Sequence, residues 1–258
     1  MMLPLRVTTL RFDSLPSTNT EAARQAALGA PEGLCVVARE QTSGRGREAR
    51  QWVSPLDAGL YFSLLLRPRM KLDQWPLLTL MAALAVRDAL KEVCAIEPDI
   101  KWPNDIMANE RKLCGILAET TETEGGRACI LGIGINLNDA AFPAELEKVA
   151  TSIGALTGER IETEQLLQSL VRALSRRYAR LQEPGGPAEV LEEWSASSSF
   201  AVGKRVRVSI GDEIVEGWTR GLASDGALRV ETDAGLIRTV RAGEVKALRA
   251  AEGVEEQL

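Results

Sequence analysis

The chain contains no histidine among its 258 residues. That absence removes Ser-His-Asp and Cys-His nucleophilic machinery, histidine-ligated zinc and imidazole acid–base chemistry. Cysteine is scarce. Cys35, Cys94, Cys114 and Cys129 form no C-x-x-C pair, and three of them sit in the apolar runs LCVV, KLCGIL and ACILGI. They read as small buried hydrophobes, not as a zinc site or a disulfide framework. No stretch approaches the roughly 20 apolar residues that cross a bilayer. The N-terminal MMLPLRVTTLRFDSLPSTN lacks the layout of a secretory signal, because its apolar run is short and interrupted. The expected compartment is the cytoplasm. A net charge of −5 gives no electrostatic footprint for coating nucleic acid. An enzyme built from this chain must run on carboxylates, lysine, arginine and backbone dipoles, with or without a bound cation.

What is present suits a soluble globular protein: 45% hydrophobic and 26% charged residues, in a length that fits one large domain or a domain with a small appendage. Thr18-Asn19-Thr20-Glu21 has a capping-box pattern and opens a helix to Leu28, stopped by Gly29 and Pro31. LCVVARE (34–40) and LYFSLLLR (60–67) read as strands. Apolar spacing from Trp75 to Val93 predicts a helix with a long buried face. IKWPNDIM (100–107), KLCGILAET (112–120) and ACILGIGINLN (128–138) read as strands joined by hairpins. A helix over 163–182 is broken at 183–187, and a short one follows to Trp194. SASSSFAVG (195–203) has the composition of an inter-domain linker. Beyond it, alternating short strands with a turn signal about every ten residues predict a small β-barrel. The tail 250–258 reads as frayed. The fold class expected from these patterns is α+β, with strands in hairpins and helices between them.

Three segments carry chemistry. SGRGREARQW (43–52) places Arg45, Arg47 and Arg50 among glycines. Guanidinium forks match carboxylate and phosphate oxygens, and glycine lets backbone N–H groups approach an anion. A solvated surface loop and a short RNA-binding arginine-glycine tract are the alternatives. In IKWPNDIM, Lys101 is the only charge before Trp102-Pro103, which favours a lysine reaching into a semi-enclosed space over a surface lysine at a strand end. Asn104 and Asp105 follow as a turn pair. In LGIGINLN, Gly132 and Gly134 alternate along an apolar strand, as where a ligand approaches closely, and Asn136 shares their face. A plain strand-end asparagine is the alternative there.

Together and in this order, STNTEA (17–22), EQTSGRGREARQW (40–52), GLYFSLLLRP (59–68), IKWPNDIM (100–107), KLCGILAE (112–119) and LGIGINLN (131–138) closely resemble the biotin protein ligases. The C-terminal VRVSIGDEIVEGWTRGLASDGALRVET…AGEV also follows that family's pattern. The resemblance implies a catalytic domain like that of class II aminoacyl-tRNA synthetases, a mixed sheet with helices over 1–198, and a Src-homology-3-like barrel over 199–258. The implied activity has two steps. Biotin and Mg-ATP form biotinyl-AMP, and the biotinyl group then passes to a lysine of the biotin carboxyl carrier protein of a carboxylase.

The resemblance also implies roles. Ser17, Thr18, Asn19, Gln41, Gly44 and Gly115 match the biotin side. Arg45, Arg47 and Lys101 match the groups around the carboxylate and α-phosphate. Arg50, Trp52, Asn104, Lys112 and Asn136 match the nucleotide side, as does Arg207 in the barrel, where other members can carry a phosphate-facing lysine. Asp105 is the candidate base for the transfer step, with turn capping as its alternative. No metal-ligand set follows from the motifs, and Mg²⁺ is expected with ATP. The family usually has glycine at Ala49. If that backbone has positive φ, alanine costs about 1 kcal/mol. The chain starts directly at the catalytic domain, so the expectation is a ligase without repressor function or sequence-specific DNA binding. A homodimer stays open. The rival readings are a lipoate ligase and a non-catalytic binding module.

Overall fold

The computed structural model describes residues 5–138 and 142–247, so the tail read as frayed lies outside the described residues. Seven strands form the main sheet in the order β1-β2-β3-β7-β6-β5-β4. At its centre, β3 (Gly59–Leu66) is buried at every residue, as a strand covered on both faces must be. It pairs antiparallel with β2 (Leu34–Gln41) and β7 (Gly126–Asn136). The hairpin of β6 (Arg111–Thr123) with β7 and the short strands β5 (Asp105–Ala108) and β4 (Asp99–Lys101) extend the sheet on that side. β1 (Thr8–Leu15) runs parallel to β2, which makes the sheet mixed. The sequence pattern assigns no element to β1. Its polarity is irregular, and its strand form rests on ladder bonds to β2.

The two faces are covered differently. α2 (Leu77–Cys94) has eleven buried residues and lies between the sheet and the helices α4 (Thr163–Leu181) and α5 (Gly186–Ala196). On the opposite face α1 (Thr18–Ala27) sets Ala22 and Ala26 against Val36, Ala38, Leu65 and Ile130. α1 is only ten residues long. It leaves the ends of β6 and β7 on that face uncovered by helix, and there the cavity forms. A brief α3 (Ile153–Thr157), with Ser152 Oγ accepting from Ala155 N at 3.1 Å, had no clear sequence signal.

A second, wholly antiparallel sheet holds β8 (Val202–Ile210), β9 (Glu213–Leu222), β10 (Leu228–Glu231), β11 (Ile237–Val240) and β12 (Glu244–Ala247) in the order β11-β10-β9-β8-β12. It is seated on the main body: Trp102 Nε1 donates to Gly226 O at 3.0 Å, and Leu77 and Leu80 of α2 flank Gly226. The segment read as a linker is pinned as well. Ser198 Oγ donates to Ile100 O, Ser199 N and Oγ donate to Asp99 at 2.8 and 2.6 Å, and Phe200 is buried. Small polar composition suggested flexibility there, but those hydroxyls and amides are spent on β4. Among the described residues no helix is long and apolar enough to cross a membrane.

Candidate functional site

A cavity of about 610 Å³ opens at the uncovered ends of β6 and β7, a size that suits a small-molecule ligand. Its floor is set by cross-strand register. Gly115 of β6 lies opposite Gly134 of β7, and Leu117 lies opposite Gly132. Added Cβ atoms at Gly115 and Gly134 would meet the Trp52 indole at 2.9 and 2.5 Å. One at Gly132 would meet Asn19 Oδ1 at 2.1 Å. The alternating glycines therefore clear space for side chains delivered from α1 and the arginine loop.

The polar end of the cavity is the N-terminus of α1. Ser17, not Thr18, is the N-cap, and it makes no side-chain cap bond. The capping-box expectation is corrected here: Thr18 N and Oγ1 both donate to Gln41 Oε1, at 2.8 and 3.1 Å, and Glu21 turns to Arg24 and Gln25. Gln41 Nε2 donates to Ser54 Oγ at 2.8 Å. Ser63 Oγ lies 2.7 Å from Thr18 Oγ1 and 2.5 Å from Asn19 Oδ1. Ser17, Thr18 and Asn19 are all at most 4% exposed. Their donors and acceptors form a hydrogen-bonding network suited to an uncharged polar ring, and Asn19 Nδ2 extends it to Glu119 Oε2 at 2.7 Å.

The arginine loop forms a hairpin-like excursion. Backbone bridges join Gln41 to Ser54 and Arg45 to Gln51, and a single 3-10 turn, Arg47–Ala49, forms its tip. Glu48 and Ala49 both have positive φ, 55° and 57°, so the condition under which alanine is strained holds in this loop. The loop leans on the second sheet. Arg47 Nη1 donates to Gly243 O at 3.4 Å, and Arg50 Nη1 lies 3.4 Å from Glu244 Oε2. Arg45 is paired with Glu119 at 2.6 Å. Burial draws the Arg47 guanidinium below its usual range. Neighbouring Glu48 opposes that shift and Arg50 adds to it.

Lys101 ends β4 directly opposite Asp105. Burial holds its ammonium below the ordinary lysine range. Asp105 works against that shift, and Lys112 reinforces it. Lys112 Nζ sits 2.6 Å from Asp105 Oδ1 and 5.3 Å from the centre of the Trp52 ring, within cation–π range. The indole Nε1 of Trp52 is buried without a partner among the described residues. Asn136 Nδ2 donates to Thr151 O at 2.9 Å. Asn104 is bracketed by β6, donating to Ile116 O at 2.7 Å.

Of the residues expected at the site, Ser17, Thr18, Asn19, Gln41, Arg45, Arg47, Arg50, Trp52, Lys101, Asn104, Asp105, Lys112, Gly115 and Asn136 line the cavity. Two do not. Gly44 is buried behind the Gln41–Ser54 hydrogen bond and against the Trp52 carbonyl, and it borders a neighbouring hollow instead. Arg207 is engaged by Glu216 at 2.5 Å, and its cross-strand neighbour Lys246 lines the cavity instead. Sequence reasoning also missed Glu244, the segment from Phe142 to Ala150, and Glu119. The first two carry no local signal. Glu119 shares a strand face with Gly115 and Leu117, and that period of two was the available clue.

Seven cationic side chains line the cavity, Arg45, Arg47, Arg50, Lys101, Lys112, Lys148 and Lys246, against the three carboxylates Asp105, Glu110 and Glu244. In a chain of net charge −5, that local excess suits a ligand with several negative charges. The cysteines take no part. They are free, Cys94 is partly buried and the other three are buried, and burial pushes the Cys35 thiol up to about 12 and Cys94 to about 11. The reactive thiolate is thereby suppressed. Among the described residues no group of three or more Asp, Glu, His or Cys side chains could hold a metal.

Comparison with known proteins agrees with this geometry. Residues 11–136 match the biotin/lipoate A/B protein ligase family, and residues 201–246 match the biotin protein ligase C terminal domain. The chain is 39% identical over 228 residues to the bifunctional ligase/repressor BirA of Bacillus subtilis, covering 87% of this chain and 69% of that protein. It is 36% identical over 226 residues to the biotin–[acetyl-CoA-carboxylase] ligase of Paracoccus denitrificans, covering 85% and 92%. Among solved structures it is similar to the biotin protein ligase from Aquifex aeolicus in complex with biotin and ATP, with TM-score 0.82, 29% identity and 94% and 99% coverage. With the two-sheet fold and the cationic cavity over paired glycines, these likenesses establish that the chain belongs to the biotin protein ligase family.

Proposed function

We propose that this cavity joins biotin to ATP and hands the biotinyl group to a lysine of the biotin carboxyl carrier protein of a carboxylase. The observation that carries the reading is the convergence of the partly buried Lys101 ammonium with Arg45 and Arg47 on a cavity whose other end is the hydrogen-bonding network of Ser17, Thr18, Asn19 and Gln41. In the first step a carboxylate oxygen of biotin attacks the α-phosphorus and pyrophosphate leaves. A carboxylate is already ionised at neutral pH, so no base is needed. The chain supplies charge: Lys101 bridges the two anions, and Arg45 and Arg47 hold the carboxylate and phosphate oxygens so that repelling groups meet in line. Thr18, Asn19 and Gln41 orient the ureido ring with Ser17, and Gly115 lets it lie against the strand. Trp52 and Asn136 border the adenine, with Arg50, Asn104 and Lys112 on the same side. Mg²⁺ would come with the triphosphate and neutralise part of its charge; among the described residues no group of three or more acidic side chains could hold it.

In the second step the acceptor amine attacks the acyl carbon and AMP departs with the anhydride oxygen. The amine must shed a proton, and Asp105, held by Lys112, is the group assigned to receive or orient it. Residues 1–198 form the catalytic unit in this reading, and 199–258 form the unit that braces its loop. The enzyme works in the cytoplasm. β1 and β4 end the main sheet, and they are the edges through which two copies would pair. The test is incubation with biotin, Mg-ATP and a carrier domain, read by avidin blot and by pyrophosphate release. Lipoate in place of biotin is the control. Modification with lipoate but not biotin, or no nucleotide-dependent product, would overturn the reading.

A further inference from the structure

The loop's anion-binding arginine already holds an anion of the protein's own. Arg45 Nη2 lies 2.6 Å from Glu119 Oε2, and the same oxygen accepts from Asn19 Nδ2 at 2.7 Å. Asn19 in turn meets Ser63 through Oδ1 and sits directly above Gly132, with no room for movement toward the strand. Asn19 is 4% exposed, whereas the Arg45 and Glu119 side chains are 45% and 35% exposed. Glu119 is therefore a hinge point. One side faces a fixed amide in the cavity floor, and the other faces a guanidinium on a loop that can let go.

We propose that Glu119 is a positioning residue that stands in for the substrate carboxylate. It keeps Arg45 neutralised and aimed until the acid group of biotin arrives and takes its place. The inference rests on the reading of Arg45 as a carboxylate ligand and deepens it. Exchange of one carboxylate for another changes neither the count of ion pairs nor the charge on the guanidinium. A neutral ligand of the same shape offers nothing to exchange and leaves the Glu119–Arg45 pair closed. An ionised acid must therefore compete with Glu119 for Arg45, whereas its alcohol or amide does not. It also couples the two ends of the ligand, because the carboxylate that releases Arg45 is the one bonded to Asn19 at the ureido end.

The test is calorimetric titration of the full chain with biotin and with biotinol, in which an alcohol replaces the carboxylate. Exposed pairs contribute modestly. Glu119→Gln, which removes the competing charge but keeps an acceptor for Asn19, is expected to bind biotin about two- to fivefold more tightly. Its affinity for biotinol should stay unchanged. Glu119→Asp, too short to span to Arg45, should act in the same direction and covers the case in which the first variant folds poorly. Arg45→Ala should weaken biotin selectively over biotinol and should abolish the effect of the Glu119 change when the two are combined. If Arg45→Ala is selective but Glu119→Gln shifts biotin and biotinol together, or leaves biotin binding unchanged or weaker, the exchange is refuted while Arg45 keeps its role. If Arg45→Ala affects both ligands equally, the assignment of Arg45 fails and takes the exchange with it.

Discussion

Ala49, where the family resemblance leads one to expect glycine, has a left-handed backbone with φ of 57°. An L-residue in that region carries roughly 1–2 kcal/mol of steric cost. Replacing it by glycine removes that cost but adds conformational freedom to the open loop, worth about 0.4–1 kcal/mol in the opposite direction. The surplus favours the folded loop by about 0.5–1 kcal/mol, a factor of about two to five in a rate that depends on leaving it. Glu48 stays strained at φ of 55° in either variant, so the gain is limited to one residue. The assay is loss of preformed radiolabelled biotinyl-AMP from the protein after a chase with unlabelled ligand. Ala49→Gly should slow the loss by that factor. Ala49→Val, whose branched side chain tolerates positive φ still less, should speed it. Equal rates in all three proteins would show that the adenylate escapes without this turn unfolding, and the argument from backbone strain would fail.

Lys101 yields a prediction about pH. Burial disfavours its charged form, so the ammonium is lost at lower pH than an ordinary lysine near 10.5. Because adenylation needs the charge, kcat/KM for pyrophosphate release should fall on an alkaline limb below that value. Lys101→Arg should be slower but lack the limb, and a limb shared by both would exonerate this residue. Gly134→Ala places a methyl 2.5 Å from Trp52 Nε1, and the backbone is held by Tyr61 and Gly115 on either side. The mobile indole must therefore yield, at about 1–3 kcal/mol. Adenylate retention should drop and the melting temperature should fall by a few degrees, and unchanged values of both would refute the packing argument. Asp105→Asn should slow single-turnover transfer from preformed biotinyl-AMP to the carrier, and an unaltered rate would remove Asp105 from that step.

Much of this architecture was legible in the chain because its signals are local. Apolar spacing marked α2 and α4, and hairpin patterning marked β5 through β7. The alternation of Gly132, Gly134 and Asn136 marked one face of β7 as a place of close approach, and the cavity lies there. What escaped depends on partners distant in sequence. β1 exists because β2 lies beside it, and the serines after Ala196 are fixed because β4 offers them acceptors. Thr18 resembled a helix cap in isolation, but Gln41 claims its hydroxyl. Arg207 and Lys246 are neighbours across a ladder, and only the docking of the second sheet decides which of them reaches the cavity.

The brace between Arg47 and Gly243 joins points 196 residues apart. A ribosome can thus complete the sheet, the helices and the vitamin's cradle long before the nucleotide's side has a wall. The wall that braces the arginine loop is the last part of the cavity to be made, after every side chain assigned a role in adenylation.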